Sequence, residues 1–292
     1  MEHSIIKQKI TDENKRFYEE HGFLIAKNLF SSNEINELKK ELVTIFKEKG
    51  ESIIGYVKPE EGVSDDDLIK KYTTLNFPHK ASDVITDYVK HQKVANVLSE
   101  IISPNVKCMQ SMLFMKGPGK KGQSWHQDEY YIPTRDRSLT GCWIAIDDAT
   151  IENGCLWVIP GSHKSGHIRK RIAIEREEFQ DKDMSDLLPF IEENDAVPVE
   201  IEAGSALFFN GYLLHSSLNN KSKDSYRRSL VNHYMSAESI LTWSWDGSDP
   251  IPDDHRDIVM VCGEDPYAYK GTKEIAKPML RPDVLDGKTK WY

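Results

Sequence analysis

The chain has 292 residues, 39% of them apolar, and a formal net charge of −9. That acidity, with no dominant cluster of Lys and Arg, argues against a nucleic-acid surface, because counterion-releasing contacts need clustered positive charge. No run approaches the ~18 apolar residues that a membrane-spanning helix requires, so neither nucleic acid nor membrane is expected as a partner.

The N-terminal stretch is charged throughout and lacks the apolar segment of a leader, which predicts a cytoplasmic protein. A polar helix is expected near Thr11 to His21, then a buried strand in GFLIAKNLF. SSNEINELKKELVTIFKEKG predicts a well-marked helix: Ser31 and Glu34 form a capping box, Ile35, Leu38, Leu42 and Ile45 form the apolar stripe, and Gly50 ends it. A further helical pattern runs from about Ala81 to Ile102 and stops at Ser103-Pro104.

Beyond this point short apolar or alternating runs are separated by Gly, Pro, Asn and Asp: VKCMQSMLFMKGPG, LTGCWIAIDDAT, CLWVIPGSH, PVEIEAGSALFFNGYLLHSS and RRSLVNHYMSAE. These are expected strands of a sandwich or closed barrel. An acidic insertion, about residues 175–196, is longer than an ordinary connection and suits a lid or a solvated loop with one helical turn. Four cysteines, Cys108, Cys142, Cys155 and Cys262, show no C-x-x-C spacing and are expected as free thiols. With no repeat or linker, one domain is expected over 1–292. It comprises a helical part to about 104, a barrel core at about 105–237 and a C-terminal extension at about 238–292.

GPGKKGQS has glycines spaced like a phosphate loop but carries Gln123 where the lysine belongs. SWHQDEYY places His126 and Asp128 two residues apart, so on an extended strand both project from one face. With 10 histidines in the chain about one such pair arises by chance, and a second, His255 to Asp257 in HRD, has no later histidine to complete a site. His215, in GYLLHSS, supplies a third ligand for His126 and Asp128. Two histidines and a carboxylate on one face suit non-haem Fe(II), and the same set holds zinc. Ser217 and the pair Arg227 and Arg228 follow; a guanidinium there would fork onto a diacid such as 2-oxoglutarate, and alternation turns only one arginine inward.

QSMLFMKGPG, WHQDEYYIP, GCWIAIDDATIENGCLWVIPGSHKSG, LLHSSLNN and YRRSLVNHY together closely resemble the phytanoyl-CoA dioxygenase family of Fe(II)/2-oxoglutarate oxygenases, over about Gly22 to Ala237. The resemblance implies a mainly β fold with flanking helices, a double-stranded β-helix (jelly-roll, cupin-like) barrel preceded by N-terminal helices. It implies His126, Asp128 and His215 as iron ligands, Arg227 and Ser217 on the distal carboxylate of 2-oxoglutarate, and Met112 and Trp143 lining that site. Fe(II), 2-oxoglutarate and O2 are the implied cofactors. The implied reaction is hydroxylation of an unactivated C–H of a small molecule with release of succinate and CO2. Related halogenases lack the carboxylate that Asp128 supplies, which favours hydroxylation. Some relatives carry a further cosubstrate lysine, whereas the corresponding register here falls at Thr73 to His79 and offers a hydroxyl or Asn76.

Glu129, Tyr130, Tyr131, Arg137 and Asn210 are the candidate substrate contacts. Two other readings use the same barrel: a zinc-dependent hydrolase with His163 or Glu129 as base, and a non-enzymatic metal-binding protein. The substrate is left open among acyl-CoA esters, amino-acid derivatives, phosphonates and natural products, and a homo-oligomer is compatible with all of these readings.

Overall fold

The computed structural model describes residues 5–6, 10–173, 179, 183–185, 196–242 and 254–283. Its α-helices are Asp12–His21 (α1), Ser32–Thr44 (α2), Asp65–Lys70 (α3), Asp83–Val89 (α4) and Gln92–Ile101 (α5). The strands are Ile5–Ile6 (β1), Phe23–Ala26 (β2), Tyr72–Asn76 (β3), Val106–Lys116 (β4), Gln123–His126 (β5), Thr140–Ala145 (β6), Leu156–Val158 (β7), Arg171–Ala173 (β8), Asp183–Ser185 (β9), Val197–Val199 (β10), Ala206–Asn210 (β11), His215–Ser217 (β12), Arg227–Ser236 (β13), Val259–Cys262 (β14) and Met279–Pro282 (β15).

A large sheet runs β1-β2-β11-β6-β13-β4-β3-β15, with β14 also paired to β4, and a smaller one runs β10-β7-β12-β5. The long antiparallel strands explain the layering, because side chains of period two sort onto opposite faces. On β13 and its neighbours, Leu230, Tyr234, Cys142, Ile144, Leu113 and Met115 join the core packed with the helices. The opposite face gives Val231, Trp143, Leu207 and Phe209, which pack with Leu156, Trp157 and Val158 of the smaller sheet. The two sheets thus face each other, and Arg227, Ser229, Val231 and His233 line their shared interior.

Helix α2 begins as expected: Ser31 Oγ accepts from the Glu34 backbone N–H, and Glu34 Oε2 accepts from the Ser31 N–H at 2.7 Å. Its stripe residues Ile35, Leu38, Leu42 and Ile45 are all buried, which fixes the helix against the sheet. After Thr44 it widens into a π turn, Ile45–Lys49, before the short turn Gly50–Ser52.

The single helix expected over Ala81 to Ile102 is instead two, α4 and α5. His91 leaves the helical basin with ψ 132°, and its Nδ1 accepts from the Lys93 N–H. Its ring meets Phe30 at 5.1 Å, while its Nε2 lies 3.3 Å from Glu34 Oε1. Tertiary contacts with α2 and the segment before it offset the lost helical turn, which periodicity alone does not register. In the acidic insertion β9 pairs with β8, which precedes it, and Phe179 bridges to Gly122. The helical turn and lid expected there lie mostly outside the described residues. All four cysteines are free.

His79 is buried on the helix side of β4 with Nδ1 2.6 Å from Ser111 Oγ. Burial, with Lys80 adding to it and Asp257 opposing, pulls its pKa from 6.5 down to about 4. The ring is therefore neutral in the fold at neutral pH. Its contribution is complete above pH 6.5 and is lost as pH falls through 4, amounting to about 3 kcal/mol. Urea unfolding of the wild type and His79→Gln at pH 7 and pH 4.5 should show a shallower pH slope in the variant. Equal slopes would contradict this.

Candidate active site

Strand β5 ends at His126, Gln127 is still extended at φ −124° and ψ 129°, and a 3-10 turn begins at Asp128. His126 and Asp128 therefore share a face, as their spacing predicted. His215 opens β12 and pairs directly with His126, so the two imidazole centroids lie 4.1 Å apart. One ligand atom from each of His126, Asp128 and His215 falls within 4.8 Å of the others, and all three residues are buried.

The Nδ1 N–H of His126 donates to Ser124 O at 2.7 Å, and that of His215 donates to Leu213 O at 3.0 Å. With the protons held there, both Nε2 lone pairs are free for a metal. Each Nε2 is 3.6 Å from Asp128 Oδ1, too long for a hydrogen bond and suited to three donors converging on one ion. Burial opposes ionisation of Asp128, but His215, His233 and His126 outweigh it and hold the carboxyl well below the usual range. Burial first, then His126, draws His215 down to about 4, which keeps the ring neutral and able to ligate.

Ser217 lies two residues beyond His215 on the same short strand. Gly122 makes its position possible, since a Cβ there would stand 1.9 Å from the Ser217 carbonyl oxygen. Arg227 is buried on the interior face with its guanidinium 5.4 Å from the Trp143 ring, and burial lowers its pKa to about 10. Met112 and Trp143 both flank Val231 across three strands, which sets them in one row. Arg228 faces outward and forks onto Asp147 at 2.7 and 2.9 Å, so the alternation expected of the arginine pair holds. Among the described residues no carboxylate pairs with Arg227, and Arg227 Nε and Ser229 Oγ are buried with no hydrogen-bond partner. Orphaned donors of this kind beside a 2-His-1-carboxylate set fit a dicarboxylate cosubstrate.

The expected substrate contacts fall in different surroundings. Asn210 pairs with Thr140 one step out of phase with the interior residue Phe209, and its Oδ1 accepts from the Tyr212 N–H, so it does not face the triad. Glu129 is buried with Oε1 accepting from the Thr134 N–H and Oγ1, while its Oε2 has no hydrogen-bond partner and burial raises the carboxyl to about 7. His163 is engaged by the α1 end, with its Nε2 N–H donating to Glu19 O at 3.1 Å and its ring against Gly22. Tyr130 and Tyr131 leave Asp128 on the 3-10 turn rather than on a strand; both are exposed, and Tyr131 stands 6.0 Å from the His126 ring. Arg137 is exposed and lies 5.8 Å from the Tyr212 ring. His255 is buried and structural, held between Gly271 O and Asp265 Oδ2.

The family model described as phytanoyl-CoA dioxygenase matches residues 18–229. The chain belongs to the phytanoyl-CoA dioxygenase family. It is 30% identical over 264 residues to phytanoyl-CoA dioxygenase 1 of Oryza sativa subsp. japonica, covering 80% of this chain and 92% of that one. It is 29% identical over 250 residues to the phytanoyl-CoA dioxygenase of Arabidopsis thaliana, covering 75% and 87%. Among solved structures, the non-haem alpha-ketoglutarate-dependent carbocyclase SnoK from nogalamycin biosynthesis superposes with a TM-score of 0.64 at 22% identity, over 86% of this chain and 96% of that one. The jelly-roll fold implied by the motifs is thereby found, and the protein is a 2-oxoglutarate-dependent oxygenase acting on small molecules.

Against the phytanoyl-CoA dioxygenase pattern, the register where some relatives carry a cosubstrate lysine holds Thr74 and Asn76. Asn76 pairs with Met112 and Thr74 with Phe114, so both face the interior, and Thr74 Oγ1 and Asn76 Oδ1 lack hydrogen-bond partners. Sequence reasoning missed two further residues. Lys116 shares the face of Met112 and Phe114 by alternation. His233, six residues beyond Arg227, donates its Nε2 N–H to Asp128 Oδ2 at 3.0 Å. That bond orients the carboxylate so that Oδ1 is left for the metal. His233→Ala should weaken Fe(II) binding by roughly 10- to 100-fold, the usual effect of removing a ligand's outer partner. A metal titration giving wild-type affinity would contradict this.

Proposed function

We propose that this chain hydroxylates an unactivated C–H bond of a small molecule, with His126, Asp128 and His215 holding Fe(II) and Arg227 and Ser217 holding the distal carboxylate of 2-oxoglutarate. The observation that carries this reading is the juxtaposition of a buried three-donor set with a buried guanidinium that has no carboxylate partner among the described residues. Zinc hydrolysis would use the triad but leaves the buried Arg227 without a counter-ion, and His163 Nε2 is bound to Glu19 O. A purely metal-binding barrel has no need of the clamp.

Bound iron with 2-oxoglutarate and O2 supplies the oxidising chemistry: the cosubstrate loses CO2 to become succinate, and one oxygen atom enters the substrate C–H bond. The residues of the chain position and shield. Ser124 O and Leu213 O fix the imidazole protons, and His233 fixes the carboxylate. Trp143, Met112 and Val231 wall the cosubstrate side with apolar surface that excludes water. Tyr131 and Tyr130, exposed beside His126, stand where substrate would enter.

The test is succinate formation with Fe(II), 2-oxoglutarate and O2 across a panel of acyl-CoA esters, amino-acid derivatives, phosphonates and natural products. A substrate that raises succinate release and yields an equal amount of hydroxylated product supports the reading. Hydrolysis of a panel member without succinate or O2 consumption would overturn it.

A further inference from the structure

Two cations lie side by side inside this protein. Lys116, at the end of β4, is the direct cross-strand partner of Arg227, and both are buried. Among the described residues no carboxylate pairs with either. Two like charges brought out of water with no counter-ion are strongly unfavourable, so one of them must be neutral or an anion must join them.

The hydrogen bonds of Lys116 indicate which. Its Nζ donates to Ser217 Oγ at 2.9 Å and to Leu218 O at 2.6 Å. An unprotonated amine has two N–H donors, and these two acceptors satisfy both; an ammonium has a third that needs another acceptor. Burial first, and then Arg227, lowers the Lys116 pKa well below 10.5, the direction that favours the amine over the ammonium. The charged and titratable groups around it are few. Arg227 faces it from β13, and the Cys155 thiol, pushed up to about 12 by burial, stays neutral before β7. Ser217 and Leu218 on the β12 side carry no charge, and Asp147 is engaged by Arg228 and Lys39.

We propose that Lys116 is a second anchor for the distal carboxylate of 2-oxoglutarate, taking up one proton from solvent as the cosubstrate binds. The inference rests on the cosubstrate reading given above. The carboxylate arrives ionised and the amine becomes an ammonium. The new third N–H then points to an acceptor, while Arg227 contributes its fork and Ser217 its hydroxyl proton. Ser217 accepts from Lys116 and from the Gln123 N–H, which leaves its own O–H to donate.

The experiment is oxygen-free calorimetry of the Fe(II)-loaded protein at pH 7.5 in two buffers of different ionisation heat. 2-Oxoglutarate is compared with 2-oxobutyrate, which lacks the distal carboxylate. The wild type should take up about one proton per 2-oxoglutarate and none with 2-oxobutyrate. Lys116→Met should abolish the uptake and weaken 2-oxoglutarate roughly 10- to 100-fold, the usual worth of a hydrogen bond to a charged group. Its affinity for 2-oxobutyrate should not change. Should the variant fail to fold, the two-buffer measurement on the wild type decides alone. Binding of 2-oxoglutarate by the wild type without proton uptake overturns the role of Lys116, as does unchanged affinity in the variant. No binding at all would instead sink the cosubstrate reading.

Discussion

Alanine in place of His215 should abolish Fe(II) retention and, with it, succinate formation. The imidazole does two things at once: it supplies one of three converging donors, and it pairs across the smaller sheet with His126. Removing it leaves one imidazole and one carboxylate, too few to fix an octahedral ion, so affinity should fall by more than the roughly 100-fold typical of an outer partner. Metal analysis after gel filtration, alongside a thermal melt, separates lost ligation from lost folding. A folded His215→Ala protein that still carries stoichiometric iron would remove His215 from the site.

The second large effect is expected at Arg227. Its guanidinium is buried, stacked on Trp143 and without an ionic partner among the described residues, so a bound carboxylate would meet it fully desolvated. Truncating one member of such a pair typically costs about 2–5 kcal/mol, or roughly 30- to several-thousand-fold in the concentration of 2-oxoglutarate required. Arg227→Ala should show that loss at saturating iron while retaining wild-type iron affinity. The reverse pattern, weak iron and normal cosubstrate requirement, would refute the assignment. Arg228→Ala is the internal control, because its partner Asp147 lies on the outer face and the change should leave the cosubstrate requirement alone.

Much of this site could be seen in the sequence because it depends on period-two alternation and short spacings. His126 and Asp128 share a face by spacing, Ser217 follows His215 by two, and alternation turns one of Arg227 and Arg228 inward, the family resemblance choosing Arg227. Spacing alone could not rank the two H-x-D pairs; the lack of any histidine after His255 did, and the cross-strand pairing of His126 with His215, which joins residues 89 apart in the chain, shows why the first pair has its third ligand. The contacts that sequence reasoning missed are of the same kind. His233 reaches Asp128 across 105 positions and Lys116 reaches Ser217 across 101. Both were legible as interior residues of alternating strands, but their partners depend on how the sheets pack. Local errors have local causes: His91 breaks a helix because α2 holds its ring, and Asn210 faces outward because it is one residue out of phase with Phe209.

The central claim is that one buried site holds both Fe(II) and 2-oxoglutarate. Anaerobic titration of 2-oxoglutarate into the Fe(II)-loaded protein, followed by visible absorption, tests it most directly. The account predicts a weak charge-transfer band that saturates at one equivalent and is absent from His126→Ala. No band in the folded, iron-loaded wild type, or an unchanged band in that variant, would contradict it.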